Sequence, residues 1–221
     1  MSKVDFLKHV PIFNRLSERD LEALAANLQR KFFGRGEIIF HQGSPGYCLY
    51  IIESGAVRIY TLSESGQEIS IIIFGPGDVI GELAILDNLP RSASAITMAP
   101  TRTYILYQDD FFNCVRLYPE IALNIMAALS AKIRYTTEYA ESLAFMDVCG
   151  RVARKLLELS DQYGEINVRL TQTELASLVG SSREWVNKVL AAFRDRGLIE
   201  VKSGKIKILD PEGLGKQISF H

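Results

Sequence analysis

The stretch LTQTELASLVGSSREWVNKVL, Leu170 to Leu190, decides the architecture of the C-terminal part of the chain. Leu175 and Val179 precede a glycine and Val186 and Val189 follow it, the spacing of two short helices that each bury one face. Gly180 falls four residues after Ala176. A small residue lets two helices cross closely, and glycine accepts the sharp turn between them. The continuation, AAFRDRGLIEVKSGKIKIL, ends the second helix and reads as a hairpin around Ser203-Gly204. Upstream, VCGRVARKLLELSDQYG reads as one more helix, ended by Gly164. The segment 146–221 is therefore expected to be a helix-turn-helix with a β-hairpin wing.

A second helix placed after such a turn is the natural reader of a DNA major groove. Arg183 can donate two hydrogen bonds to a guanine edge, and Glu184 can accept from a cytosine amino group. Ser182, at the helix start, suits a phosphate contact. Lys188, five residues after Arg183, is expected near the same face. For Arg183 and Glu184 the alternative is a solvated charge pair, and the motif around them favours base contact. Trp185 either packs against the wing or first helix or touches DNA. Charge adds little: there are 12 Lys and Arg against 10 Asp and Glu from Asp147 onward, and 13 against 16 before it.

Before this segment comes a long helical pattern, from about Tyr118 to Phe145. Met126, Leu129, Ile133, Thr136, Ala140 and Leu143 are spaced 3, 4, 3, 4, 3, a short coiled-coil seam. The pattern suits self-association, with packing on its own domain as the alternative. Thr136 is the odd member, since a hydroxyl in an apolar seam needs a hydrogen-bond partner.

The first part, to about Tyr107, has a different texture. The β-type runs EIIF, CLYIIE, AVRIYTL, EISIIIF and TRTYILY alternate with the turns FGRGE, QGSPGY, ESGA, SESGQ and GPGD. Short, evenly spaced strands with such punctuation predict an antiparallel sandwich or roll. A helix precedes them, LSERDLEALAANL, with Ser17 as N-cap and Asp20 three positions on. Inside this part lies GELAILDNLPRSASA, Gly81 to Ala95, where one acid and one base sit in an apolar, small-residue frame. An exposed ion pair beside a turn would place Glu82 and Arg91 anywhere; it does not account for Gly81, Pro90 and Ser92 around them. A cyclic nucleotide does. Its phosphate asks for backbone N–H groups and a cation, and its ribose 2′-hydroxyl asks for a carboxylate. Gly81 lets the backbone approach, Glu82 can take the sugar, and Arg91 with Ser92 can take the phosphate.

These motifs resemble, in order and over nearly the whole chain, the Crp/Fnr family of bacterial transcription regulators, in particular its cyclic-AMP-responsive members. GELAILDNLPRSA resembles the family's phosphate-binding cassette. The resemblance implies an α+β fold: an N-terminal β-roll of cyclic-nucleotide-binding type (a double-stranded β-helix) over 1–116, a dimerisation helix over 117–145 and the winged helix-turn-helix over 146–221. It implies that Gly81, Glu82 and Leu83 contact ribose and phosphate and that Arg91 and Ser92 hold the phosphate. Adjacent hydroxyl residues on the long helix bind the adenine in the family, and Thr136 and Thr137 stand there in YTTEYAESLAF. The first comes from the chain that holds the nucleotide, the second from its dimer partner. The position of Lys188 is a guanine-reading arginine in the family, so lysine alters the expected preference at that base. The function implied is a homodimer that binds near-palindromic promoter DNA under control of cyclic AMP, with RNA polymerase as a further partner. A hinge near Phe145, Met146 and Asp147 would reposition the reading helices.

Other readings fit the residues less well. Cys48, Cys114 and Cys149 lack the spacing of an iron–sulfur cluster. His9, His41 and His221 are the only histidines and lie far apart, so neither a haem ligand, a metal nor a cupin-type enzyme site is expected. No Ser–His–Asp, Walker or H-E-x-x-H signature occurs. Cyclic GMP or a cyclic dinucleotide stays open as the effector, as do DNA binding without ligand and a regulatory-subunit role. No apolar run is long enough for a bilayer, and MSKVDFLKHVPIF carries no signal-peptide pattern, which predicts a cytoplasmic protein.

Overall fold

A computed structural model describes residues 2–14, 16–64, 66, 68–163, 170–202 and 205–218. The expected helix end at Gly164, the hairpin turn at Ser203-Gly204 and His221 lie outside the described residues. The elements in chain order are α1 (Lys3–Leu7), a 3-10 turn (Pro11–Phe13), α2 (Glu18–Asn27), β1 (Gln29–Phe33), β2 (Ile38–Phe40), β3 (Cys48–Ser54), β4 (Val57–Leu62), β5 (Glu68–Phe74), β6 (Val79–Ile80), α3 (Glu82–Asp87), β7 (Ser94–Thr97), β8 (Thr101–Tyr107), α4 (Gln108–Leu117), α5 (Glu120–Phe145), α6 (Val148–Tyr163), α7 (Gln172–Val179), α8 (Arg183–Asp195), β9 (Ile199–Lys202), β10 (Lys205–Ile208) and α9 (Pro211–Gly215). The mixed α and β content and the roll-helix-winged-helix order are those expected.

The chain divides into two compact units: Met1–Thr61 with Ile72–Arg134, and Leu62–Ile71 with Tyr135–His221. Two four-stranded sheets, ordered β1-β8-β3-β6 and β2-β7-β4-β5, form the roll. Their inward residues, Phe33, Tyr50, Ile52, Val57, Ile80 and Ala95 among them, make the roll's core. A second core joins α1, α2 and α4 to the other face of β3 and β8 through Leu7, Phe13, Leu24, Leu49, Tyr104 and Phe111, and takes in Ile121 and Ile125 of α5. Ser17 caps α2 as expected, its Oγ accepting from the Asp20 N–H at 3.3 Å.

Three elements of this unit carry no strong sequence signal. Strand β1, QRKFF, is exposed at four of its five positions, so its alternation is lost; its pairing to β8, Gln29 to Ile105 through Phe33 to Thr101, holds it in the sheet. Strand β7 lies inside the SASAIT run next to the cassette. Helix α4 follows β8 directly and buries Phe111 and Cys114. The long helix begins at Glu120, two residues after Tyr118, which closes α4.

In the second unit, α6, α7, α8 and the β9–β10 hairpin enclose one core: Val152, Leu156, Leu175, Ala176, Val179, Val186, Val189, Leu190, Phe193, Ile199 and Ile206. Thr171 caps α7 in a reciprocal box with Glu174. Gly180 ends it at φ 61°, and a Cβ there would lie 2.6 Å from Leu143 Cδ2. Both reasons for a glycine, the left-handed turn and the close approach, are met at this position. Asp147 bridges α5 and α6, its Oδ1 accepting from the Gly150 N–H at 2.7 Å. Arg151 fastens this break to the helix-turn-helix. It donates to the Met146 carbonyl at 2.6 Å, to the Val179 carbonyl at 2.8 Å and to the Gly180 carbonyl at 3.4 Å.

Candidate functional site

The cassette folds around Arg91. The chain leaves β6, turns through Gly81 at φ 78°, forms the short α3, and reverses at Asn88, which is itself left-handed at φ 56°. The return brings Arg91 back under Gly81. The Arg91 side chain is buried, with the residue 4% exposed. Its Nη1 donates to the Gly81 carbonyl at 2.5 Å and its Nη2 to the Cys48 carbonyl at 2.7 Å, with the Cys48 sulfur 3.8 Å away. Its guanidinium carbon stands 4.4 Å from the centroid of the Phe40 ring. Two glycines make room for it. A Cβ on Gly81 would lie 2.5 Å from Arg91 Nη1, and a Cβ on Gly46 would lie 2.7 Å from Arg91 Nε. The first of these is a glycine of the cassette; Gly46 lies in QGSPGY, where the sequence shows only a turn.

The charges do not pair with each other. Glu82 is 6% exposed, and its Oε1 accepts from Lys132 Nζ of α5 at 2.7 Å. The same ammonium donates to the Val79 carbonyl at 2.9 Å and stands 4.7 Å from the Phe74 ring centroid. The acceptors that Arg91 meets here are neutral, and among the described residues no carboxylate pairs with it. An exposed Glu–Arg pair beside a turn is excluded by these contacts. Lys132 had no sequence signal, because it lies fifty residues from Glu82 and outside the cassette. Nearby, burial pushes the Asp78 carboxyl above the usual aspartate range, against the Gly75 N–H that bonds it. Burial and the neighbouring Cys48 likewise push the Tyr50 phenol well above its usual range. Ser92 and Leu83 are exposed, Leu83 at 41%. Thr136 and Thr137 are exposed positions of α5 within the second unit.

On α8, Ser182 is the N-cap: its Oγ accepts from the Trp185 N–H at 3.3 Å. Arg183, Glu184, Trp185 and Lys188 are all exposed, while Val186, Val189, Leu190 and Phe193 turn inward. The Glu184 backbone N–H and the Ser182 hydroxyl hold the Glu184 carboxyl below the usual glutamate range. The expected proximity of Lys188 to Arg183 is corrected. Five residues turn an α-helix through about 140° net of one full turn. Lys188 instead stands over Trp185, three residues before it, its ammonium 4.9 Å from the ring centroid. The hairpin beside α8 carries Lys202, Lys205 and Lys207, with Lys202 paired to Glu200 at 2.6 Å.

A cleft in the second unit, lined by Tyr135, Tyr139, Arg151, Arg154, Lys155 and Glu158, uses its cations internally. Arg154 pairs with Glu138 and Glu158, and Lys155 with Glu158 at 2.5 Å and the Tyr135 hydroxyl at 2.9 Å. Burial works against the Lys155 ammonium, but Tyr135 and Glu158 outweigh it and hold the group above the usual lysine range. Among the described residues no cluster of His, Cys, Asp and Glu could hold a metal, and no helix is long and apolar enough to cross a membrane.

The fold and these two sites define a ligand-binding roll joined to a DNA-binding module. Residues 30–118 match the cyclic nucleotide-binding domain, and residues 150–216 match the Crp-like helix-turn-helix domain. The chain is 37% identical over 220 residues to the CRP-like cAMP-activated global transcriptional regulator of Mycobacterium tuberculosis, covering 96% of this chain and 98% of that one. It is 32% identical over 214 residues to the cyclic AMP receptor protein of Thermus thermophilus, covering 97% and 99%. Among solved structures, the c-di-GMP responsive global regulator CLP of Xanthomonas campestris matches with a TM-score of 0.78 at 25% identity, covering 87% of this chain and 99% of that one. The chain belongs to the Crp/Fnr family of transcription regulators. It is a DNA-binding regulator with a cyclic-nucleotide-binding domain, in a family of regulators and not of enzymes.

Proposed function

We propose that the protein is a homodimer whose promoter binding is switched by cyclic AMP. The observation that carries the reading is Arg91: buried, walled by Gly46 and Gly81, and bonded, among the described residues, only to uncharged acceptors. A guanidinium held out of water in this way is completed by an anion from outside the chain. The cyclic phosphate settles against Arg91 and the Ser92 hydroxyl, while Glu82, already oriented by Lys132, accepts the ribose 2′-hydroxyl. Gly81 and Leu83 supply the adjoining backbone, and Thr136 and Thr137 take the adenine. The names of the Mycobacterium tuberculosis and Thermus thermophilus relatives support cyclic AMP as this effector. A cyclic dinucleotide is the second reading, favoured by the Xanthomonas campestris neighbour.

The dimer forms along α5, where Met126, Ile133 and Leu143 stand 54%, 67% and 39% exposed on one heptad stripe. The roll over 1–116 senses, the helix over 117–145 pairs, and 146–221 binds DNA. Ligand acts through its differential affinity for two arrangements of the helices, with the α5–α6 break as the hinge. Two copies of α8 then enter successive major grooves of a near-palindromic site, with Ser182 on phosphate and Arg183, Glu184 and Lys188 at base edges. RNA polymerase is the partner at the promoter, in the cytoplasm.

Calorimetry with cyclic AMP, cyclic GMP and cyclic di-GMP tests the ligand. Wild-type protein is expected to bind cyclic AMP most tightly, and Arg91→Gln to lose roughly 30-fold or more in affinity with its circular dichroism unchanged. Absence of heat and of a thermal shift with all three nucleotides refutes the reading. Selection from a randomised DNA pool, with and without cyclic AMP, tests the output, and Arg183→Ala is expected to lose the selected site.

A further inference from the structure

We propose that Trp185 is a specificity residue, reading the 5-methyl group of a thymine in each half-site of the DNA. The inference rests on the DNA-binding role of α8. Trp185 is the only tryptophan of the chain, and it is 58% exposed. It takes no part in the core that its neighbours Val186 and Val189 build, so packing against the first helix or the wing does not explain it. Nor is it loosely placed. Its N–H is tied to the Ser182 cap, which fixes the backbone of the first turn, the part of such a helix that meets base edges. The Lys188 ammonium, 4.9 Å from the ring centroid, engages the indole and restricts its rotation. Arg183 and Glu184, also exposed, precede it directly.

The groove offers such a side chain one apolar partner. Guanine, cytosine and adenine present donors and acceptors at their major-groove edges, and thymine alone adds a methyl group. A preoriented indole gains little from the polar edges and buries hydrocarbon against the methyl. Lys188, drawn to the ring, is carried toward the same base step and its phosphate, a different task from that of a forked arginine reading guanine. The pair therefore shifts the preferred half-site toward a thymine at the position facing Trp185.

The test uses the full-length protein with cyclic AMP and the tightest duplex from a randomised pool. Each thymine is replaced in turn by uracil, which pairs identically but lacks the methyl. Binding is read by anisotropy of the labelled duplex, and indole contact by the emission of the sole tryptophan. One thymine per half-site is expected to lose about fourfold in affinity on conversion to uracil, the worth of one buried methyl. The emission of Trp185 is expected to change on binding, and Trp185→Ala to bind the thymine and uracil duplexes equally. Specific binding with no thymine-to-uracil difference at any position overturns the inference and leaves DNA binding intact. Altered emission without methyl dependence also overturns it, since the indole then packs on sugar and phosphate. Absence of any selected duplex overturns both this inference and the DNA-binding reading beneath it.

Discussion

Lys132→Met removes an ammonium whose contacts include Glu82 Oε1 at 2.7 Å, the Val79 carbonyl at 2.9 Å and the Phe74 ring at 4.7 Å. The Glu82 side chain is 7% exposed and that of Lys132 28%. Stranding one member of a fully buried pair costs about 3–5 kcal/mol. The water that reaches Lys132 screens the pair, which lowers this to about 2–3 kcal/mol. Loss of the Val79 bond adds about 1 kcal/mol. The variant should be destabilised by about 3–4 kcal/mol, and Tm should fall by roughly 6–16 °C for a chain of this size. Urea and thermal unfolding followed by circular dichroism, on wild type, Lys132→Met, Glu82→Gln and the double variant, separate the pair from the rest. Neutralising Glu82 in the Lys132→Met background should restore about 2 kcal/mol, because a stranded carboxylate is replaced by an amide. A coupling below about 0.5 kcal/mol, the value of an exposed ion pair, refutes the reasoning.

Other consequences are as direct. Gly180→Ala must take up φ 61° and a 2.6 Å approach to Leu143, so chemical denaturation should show a loss of about 1–3 kcal/mol and DNA affinity should fall with it. Ile133→Asp places a charge on the exposed α5 stripe and should convert a dimer to monomers in sedimentation, with little change in circular dichroism. Asp78 binds its proton more tightly folded than unfolded, so its contribution to stability is present below its ordinary value of 3.8 and is lost as pH rises through the higher folded value. Asp78→Asn keeps an acceptor for the Gly75 N–H and should remove that part of the slope, making stability fall less between mildly acid and neutral pH. An unchanged slope refutes the assignment.

What the sequence disclosed was mostly local. Ser17 with Asp20, and Gly180 with the spacing of Leu175, Val179, Val186 and Val189, are short-range patterns, and each turned out to cap, turn or pack as its chemistry demands. Gly81 and Arg91 were legible for the same reason. The rest depends on contacts made at long separation. Strand β1 is a strand because β8 pairs with it, not because QRKFF alternates. Lys132 meets Glu82 across fifty residues, and the acceptors of Arg91 are carbonyls, which no side-chain pattern announces. Lys188 stands over Trp185 and away from Arg183 because a five-residue step turns the helix through about 140° net, an angle that spacing alone does not show.

In the proposed function, the carbonyl cradle of Arg91 would tie signalling to durability. A cation that no carboxylate among the described residues neutralises would make the effector a component of the folded molecule. At a hundred times its dissociation constant, a ligand adds about 2.7 kcal/mol to the free energy of unfolding. Cells rich in the signal would then hold a sturdier receptor, and when the signal wanes the same molecules would become silent and more open to proteolysis together.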